Sequence, residues 1–177
     1  SDLRQAADTT ISVLMANKKS APKSGAWYWN YSLQENTPND LPHASYIIDG
    51  IATYLQYRGR LAPGIEKERI VAHLDDFLDR DDRHPLAWPY FRTDVHLPAR
   101  LYDLGIAMRI SCGNPKLSGF TDELLRSFPA YQGTDGHYYR QPIDYAKKAN
   151  VQNRQVAEYE AYLYQGLAAC VLAHKAR

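Results

Sequence analysis

Apolar residues at Leu3, Ala7, Ile11 and Leu14 recur at spacings of four, four and three, which predicts a helix over 2–17 capped by Asp2. The same pattern predicts a second helix over 41–58, with Leu41, Ala44, Ile48, Ile51 and Leu55 on one face, Ile47 and Tyr54 beside it, and Asp40 as its cap. A third, over 65–79, sets Ile70, Val71, Leu74, Phe77 and Leu78 against a charged face. A fourth, over 95–111, carries the row Leu97, Leu101, Leu104 and Met108, with Pro98 tolerated in its first turn and Asp94 placed as its cap. A short fifth helix covers 118–128. A sixth, over 151–175, is apolar nearly all round apart from Glu158, Glu160 and Gln165, so it is expected to be buried on most sides. No stretch sustains two-residue alternation, and the predicted class is all-α, in one domain spanning 1–177.

An internal repeat organises these helices. The run Trp27, Tyr28, Trp29, Asn30, Tyr31 precedes Asp40 and His43 and then Gly50. Trp88, Tyr90 and Phe91 precede Asp94, His96 and Gly105; His137, Tyr138, Tyr139 and Arg140 precede Glu158, Glu160 and Gly166. The three glycines are 55 and 61 residues apart. Outer helix, aromatic loop and inner helix therefore recur three times. Short turns make each inner helix antiparallel to the one after it, so helices 2, 4 and 6 are expected side by side, with 1, 3 and 5 outside. Glycine in a helix interior costs about 1 kcal/mol against alanine, which close approach of inner helices at Gly50, Gly105 and Gly166 would explain.

Composition narrows the partners. A formal charge of +1, with 45% hydrophobic and 23% charged residues, gives no electrostatic case for nucleic acid or an acidic membrane. No apolar run reaches the roughly 18 residues of a membrane span. The chain starts at Ser1 without a signal-peptide pattern, which suits a processed or trimmed protein or a fragment. Two cysteines, Cys112 and Cys170, are too few for a disulfide framework and read as buried thiols. The histidine spacings match no zinc pattern, and the run Asp75, Asp76, Asp79, Asp81, Asp82 lacks the glycine and closing glutamate of a calcium loop. No metal or other cofactor is expected, and the acidic run reads as solvated.

The unusual count is 14 Tyr with 3 Trp and only 4 Phe, aromatics that pair an apolar face with a polar tip. With the inner helices parallel, the aromatic loops and the acids meet at one end. Trp27, Tyr28, Trp29, Trp88, Tyr90, His137 and Tyr138 become candidate stacking and binding residues, with Arg92, Arg100 and Arg140 to hold acidic groups. Asp40, Asp94 and Glu158 become acid/base candidates, and Tyr31, Tyr139 and His43 proton-transfer candidates. Aromatic platforms beside carboxylates and arginines suit an oligosaccharide or polysaccharide, above all one bearing uronate, cleaved by paired carboxylates or altered by proton abstraction beside the carboxyl. The structural readings are equally concrete: Asp40 and Asp94 as helix caps, the aromatics as packing, and Glu158 as a carboxylate whose burial needs a partner.

Repeated helical hairpins with aromatic, polar loops at the inner-helix N-termini resemble the (α/α) toroids of six-hairpin glycosidases and polysaccharide lyases. The run from Trp27 to Leu33 followed by Pro42-His43-Ala-Ser-Tyr-Ile-Ile is similar to the C-terminal helical domain of glucuronyl C5-epimerases. The resemblance implies a glycan hydrolase, lyase or epimerase. Such toroids have up to six or seven hairpins; here there are three, which predicts an incomplete toroid or arc, closed by dimerisation or by a further domain, or left open as a concave surface. The rival reading is a non-catalytic helical-repeat adaptor that grips a protein or peptide on that aromatic surface.

Overall fold

Asp40 fixes the start of the second helix. Its backbone is extended, its carboxylate accepts the His43 N–H, and Pro42 occupies the first turn, where a missing N–H costs nothing. The computed structural model describes residues 2–57, 61–78, 88–112, 114 and 117–175. The predicted helix ends at Arg58 and Asp79, the acidic residues Asp79, Asp81 and Asp82, and the His96 side chain lie outside what it describes.

The described residues form α1 (Asp2–Ala16), α2 (Leu41–Gln56), α3 (Lys67–Val71), α4 (Leu101–Ser111), α5 (Ser118–Ser127), α6 (Ile143–Lys148) and α7 (Ala157–Lys175). A 3-10 segment, Ala72–Leu78, extends α3, and another, Phe128–Tyr131, extends α5. The fold is mainly helical, with two small antiparallel hairpins: β1 (Lys19–Ser20) with β2 (Trp27–Tyr28), and β3 (Tyr90–Arg92) with β4 (Val95–Pro98). These strands correct the expectation of no strand, since segments of two to four residues are too short to show alternation.

The second hairpin also moves a helix boundary. Val95–Pro98, expected as the first turn of the fourth helix, is strand β4, and Asp94 sits in the hairpin turn rather than at a helix cap. The sixth helix starts at Ala157 instead of 151. Asn153 ties the preceding irregular segment to Gln141, its side chain accepting from the Gln141 N–H and donating to the Gln141 carbonyl. Such a bond offers the backbone an alternative to the helix.

Helices α2, α4 and α7 run parallel. Tyr46 lies beside Tyr102 and Asp49 beside Arg109; Tyr102 lies beside Tyr159, and Cys112 beside Cys170. The two cysteines are disulfide-bonded with Cα atoms 4.8 Å apart, which corrects the reading of free thiols. Between α4 and α7 the backbones touch at glycines: a Cβ on Gly105 would overlap the Tyr162 carbonyl, and one on Gly166 would sit 2.6 Å from the carbonyl oxygen of Gly105. Gly50 behaves differently, since a methyl group placed there would meet nothing within 4 Å.

The returning elements run antiparallel to their inner helices. Asp8 of α1 meets Tyr54 while Leu14 meets Trp29, and Thr121 of α5 meets Ser111 while Tyr131 reaches Ala99. One apolar cluster, including Leu41, Ile48, Phe77, Leu101, Leu104, Met108, Phe120 and Leu163, fills the space between. Helix α7 departs from the expectation of burial: only Leu163 and Gly166 are buried, and Tyr164, Val171 and Leu172 are 58%, 54% and 68% exposed. No helix among the described residues is long and apolar enough to cross a membrane.

Candidate functional site

The N-terminus of α2 gathers the first cluster. Asp40 is buried, and both carboxylate oxygens are engaged: Oδ1 lies 2.5 Å from His43 Nδ1 and 3.1 Å from His43 N, and Oδ2 accepts the Tyr31 hydroxyl. The loop that brings Tyr31 there is pinned by the Asn39 N–H donating to the Trp29 carbonyl and by a bridge between Asn30 and Pro38. The Tyr31 and His43 rings meet edge-on at 5.1 Å. Burial first, then donation to Asp40 and the charge of that carboxylate, push the Tyr31 phenol well above its ordinary range, while Arg92 and Arg100 pull it down.

Donation from His43 Nδ1 to Asp40 fixes the imidazole orientation and leaves Nε2 as the basic nitrogen, on a side chain 58% exposed. Both Asp40 oxygens are thereby occupied, one by the His43 ring and backbone N–H and the other by the Tyr31 hydroxyl.

Two arginines flank the cluster from the second unit. Arg92 of β3 forms a bidentate pair with Asp94 at 2.7 and 3.1 Å on the exposed hairpin. Arg100, just before α4, pairs through Nε and Nη2 with Asp103 at 3.0 and 2.9 Å, and its guanidinium lies over Phe91 and Tyr102. The Arg100 N–H also donates to Asp103 at 2.7 Å. Asp103 is fully buried; burial raises its carboxyl above the usual range, opposed by Arg100 and reinforced by the Asp40 charge. Arg92 can exchange its exposed partner for a ligand carboxylate, whereas Arg100 is a fixed charge.

The third unit stands partly apart. The Tyr139 hydroxyl donates to Asp135 at 2.8 Å and accepts from Gln155 at 3.2 Å, beside a cavity of about 450 Å³. His137 and Arg140 are exposed, and the Arg140 carbonyl accepts from the Leu101 N–H, tying this loop to the start of α4. Tyr138 is half-buried, its N–H donating to Glu160. Glu158 is exposed in the first turn of α7, so the carboxylate whose burial calls for a partner is Asp103 instead. Trp88 meets Tyr145 edge-on at 6.4 Å, and Tyr90 is half-buried in β3.

Trp27 and Trp29 belong to the core rather than to an open platform. Trp29 donates its indole N–H to the Leu14 carbonyl at 2.7 Å, and Trp27 is covered by Lys18 and Arg69. Tyr28, between the two indoles, stays half-exposed, in the wall of a separate cavity. Asp103 and Tyr102 are the residues that pattern reading misses. The visible signal is Arg100 three residues before Asp103 at a helix start, a spacing that pairs side chains on one face. Among the described residues no three His, Cys, Asp or Glu side chains group to hold a metal ion.

Compared with family models, curated proteins and solved structures, the chain matches none.

Proposed function

We propose that the protein is a carbohydrate-active (α/α)-hairpin protein, an open arc of three hairpins, that binds and processes an acidic glycan at the N-terminal ends of α2, α4 and α7. The observation that carries this reading is the grouping of Tyr31, Asp40 and His43 beside Arg92 and Arg100. A uronate presents a carboxylate for Arg92 and an acidic C–H beside it; His43 Nε2, held by Asp40, is the base and the Tyr31 phenol the facing proton carrier. Cleavage by two carboxylates has less support, because Asp40 is fully engaged, Asp94 is paired with Arg92, and Glu158 is exposed in the first turn of α7. The exposed apolar side of α7 suits closure of the arc by a second copy or a further domain.

The adaptor reading has one observation in its favour. Tyr28, Tyr31 and Tyr139 border three different cavities rather than one pocket. A thermal-shift titration with neutral and uronic oligosaccharides separates the two, since a ligand at 100 times its Kd stabilises by about 2.7 kcal/mol. A shift with uronic oligosaccharides that is lost in Tyr31→Phe and Arg92→Gln supports the glycan site. No shift with any glycan transfers the assignment to a protein-binding surface.

A further inference from the structure

We infer that the exposed face of α7 is an interface at which two copies of this chain pair with their α7 helices antiparallel. The inference does not depend on the glycan reading.

Helix α7 has two sides of different character. Leu163 and Gly166 are buried, and Gly166 stands against the Gly105 carbonyl of α4. On the opposite side Ala157, Ala161, Tyr164, Ala168 and Val171 recur at spacings of four and three, with Leu172 beside them. All six are exposed, Tyr164, Val171 and Leu172 by more than half. That spacing is the seam of a helix that another helix covers, and a row of bulky apolar side chains left in water marks a surface that associates.

The order of residues along the seam selects the occupant. A two-fold axis at the level of Gly166 sets Tyr164 opposite Ala168 of the second copy and Ala161 opposite its Val171, so each bulky side chain meets a small one. The same axis brings Glu158, exposed at the N-terminal end, to His174 and Lys175, exposed at the C-terminal end. Opposite charges then face one another at both ends, and the two helix dipoles are opposed as well. A parallel pair would do the reverse: Tyr164 would meet its own counterpart, and Glu158 and Lys175 would each face a like charge. Self-complementarity in shape and charge is what an isologous contact requires, and a second copy supplies both. The 19 residues of α7 make a strip about 28 Å long and about 10 Å wide. That is less than the roughly 800 Å² per partner of a standard stable complex, so the pairing is expected to be reversible, in the micromolar range.

Sedimentation velocity on the full chain, from about 1 μM to about 1 mM, is the test. The chain is expected to pass from monomer to dimer over that range. Tyr164→Glu should raise the dimer dissociation constant roughly tenfold or more, while Leu3→Glu, on a side chain 84% exposed in α1, should leave it unchanged. Both positions are exposed, so both variants are expected to keep the fold, which circular dichroism checks. Orientation is read by cross-linking: an air-oxidised mixture of Ala161→Cys and Val171→Cys chains should give the mixed disulfide, and neither variant alone should link to itself. A monomer throughout the range, or a dimer that Tyr164→Glu leaves intact, overturns the proposal and assigns the face to a different partner. Self-linking by either cysteine variant overturns the antiparallel pairing.

Discussion

Gly105 and Gly166 face one another across the α4–α7 contact, each so close that a methyl group on it would enter the other helix's backbone. Gly105→Ala is therefore expected to destabilise the protein by roughly 3 kcal/mol, because the obstructing atoms are backbone and cannot rotate away. Gly50→Ala should do the opposite. That glycine borders the apolar space between α1 and α2 with nothing within 4 Å, so alanine's helix propensity should yield about 0.5–1 kcal/mol of stabilisation. Denaturant midpoints of the two variants check the pair; destabilisation by both would show that the α2 glycine is also a packing position.

Asp103→Asn should cost roughly 3 kcal/mol, since it leaves the Arg100 guanidinium partly buried without its counter-ion. Asp94→Asn, which breaks the corresponding pair on the exposed hairpin, should cost less than about 1 kcal/mol. Thermal melts of the two variants side by side test the contrast.

Reducing the Cys112–Cys170 bond frees a loop with a sequence separation of 58 residues. Restored chain entropy should lower stability by roughly 2–4 kcal/mol, in reductant and in the Cys112→Ser, Cys170→Ser double variant alike. Urea unfolding with and without dithiothreitol provides the measurement. Such a bond persists in oxidising compartments, and the size of its effect indicates how far the fold depends on one.

Three tyrosines should resist alkaline titration. Burial raises Tyr31, Tyr102 and Tyr131, aided by Asp40 at the first, by Tyr46 at the second and by Asp103 at the third. The folded chain then holds protons that the unfolded chain releases near pH 10, so this contribution to stability is fully present below that pH and falls as the pH rises above it. Phenolate absorbance should show these three ionising only together with unfolding. Normal titration of all 14 tyrosines in the folded state would contradict the burial argument.

Much of the framework is readable in the sequence because it is local. Asp40 before Leu41-Pro42 is a cap by side-chain chemistry alone, and the helical spacing of Leu41, Ala44, Ile48 and Ile51 needs no knowledge of the rest of the fold. Features that depend on distant partners stay hidden. Leu97 and Leu101 are four apart and mimic a helical row, yet Val95–Pro98 pairs with Tyr90–Arg92, and Leu97 faces solvent. Trp27 and Trp29 read as a platform until the loop folds under α1 and places one indole against Leu14. Asp103 has its partner three residues away in Arg100, but its depth emerges only when α4 is packed. The pairing of Cys112 with Cys170 needs the parallel register that the Gly105 and Gly166 contact sets.

Parallel inner helices give the molecule an electrical direction. Helices α2, α4 and α7 have 16, 11 and 19 residues, and each carries roughly half a positive charge at its N-terminus and half a negative one at its C-terminus. Three such dipoles point the same way, and Arg92 and Arg100 sit near their positive ends. The carboxylates of Asp40, Asp103, Glu158 and Glu160 stand at those same positive ends, so the aligned dipoles favour a row of ionised acids there instead of leaving a bare positive pole.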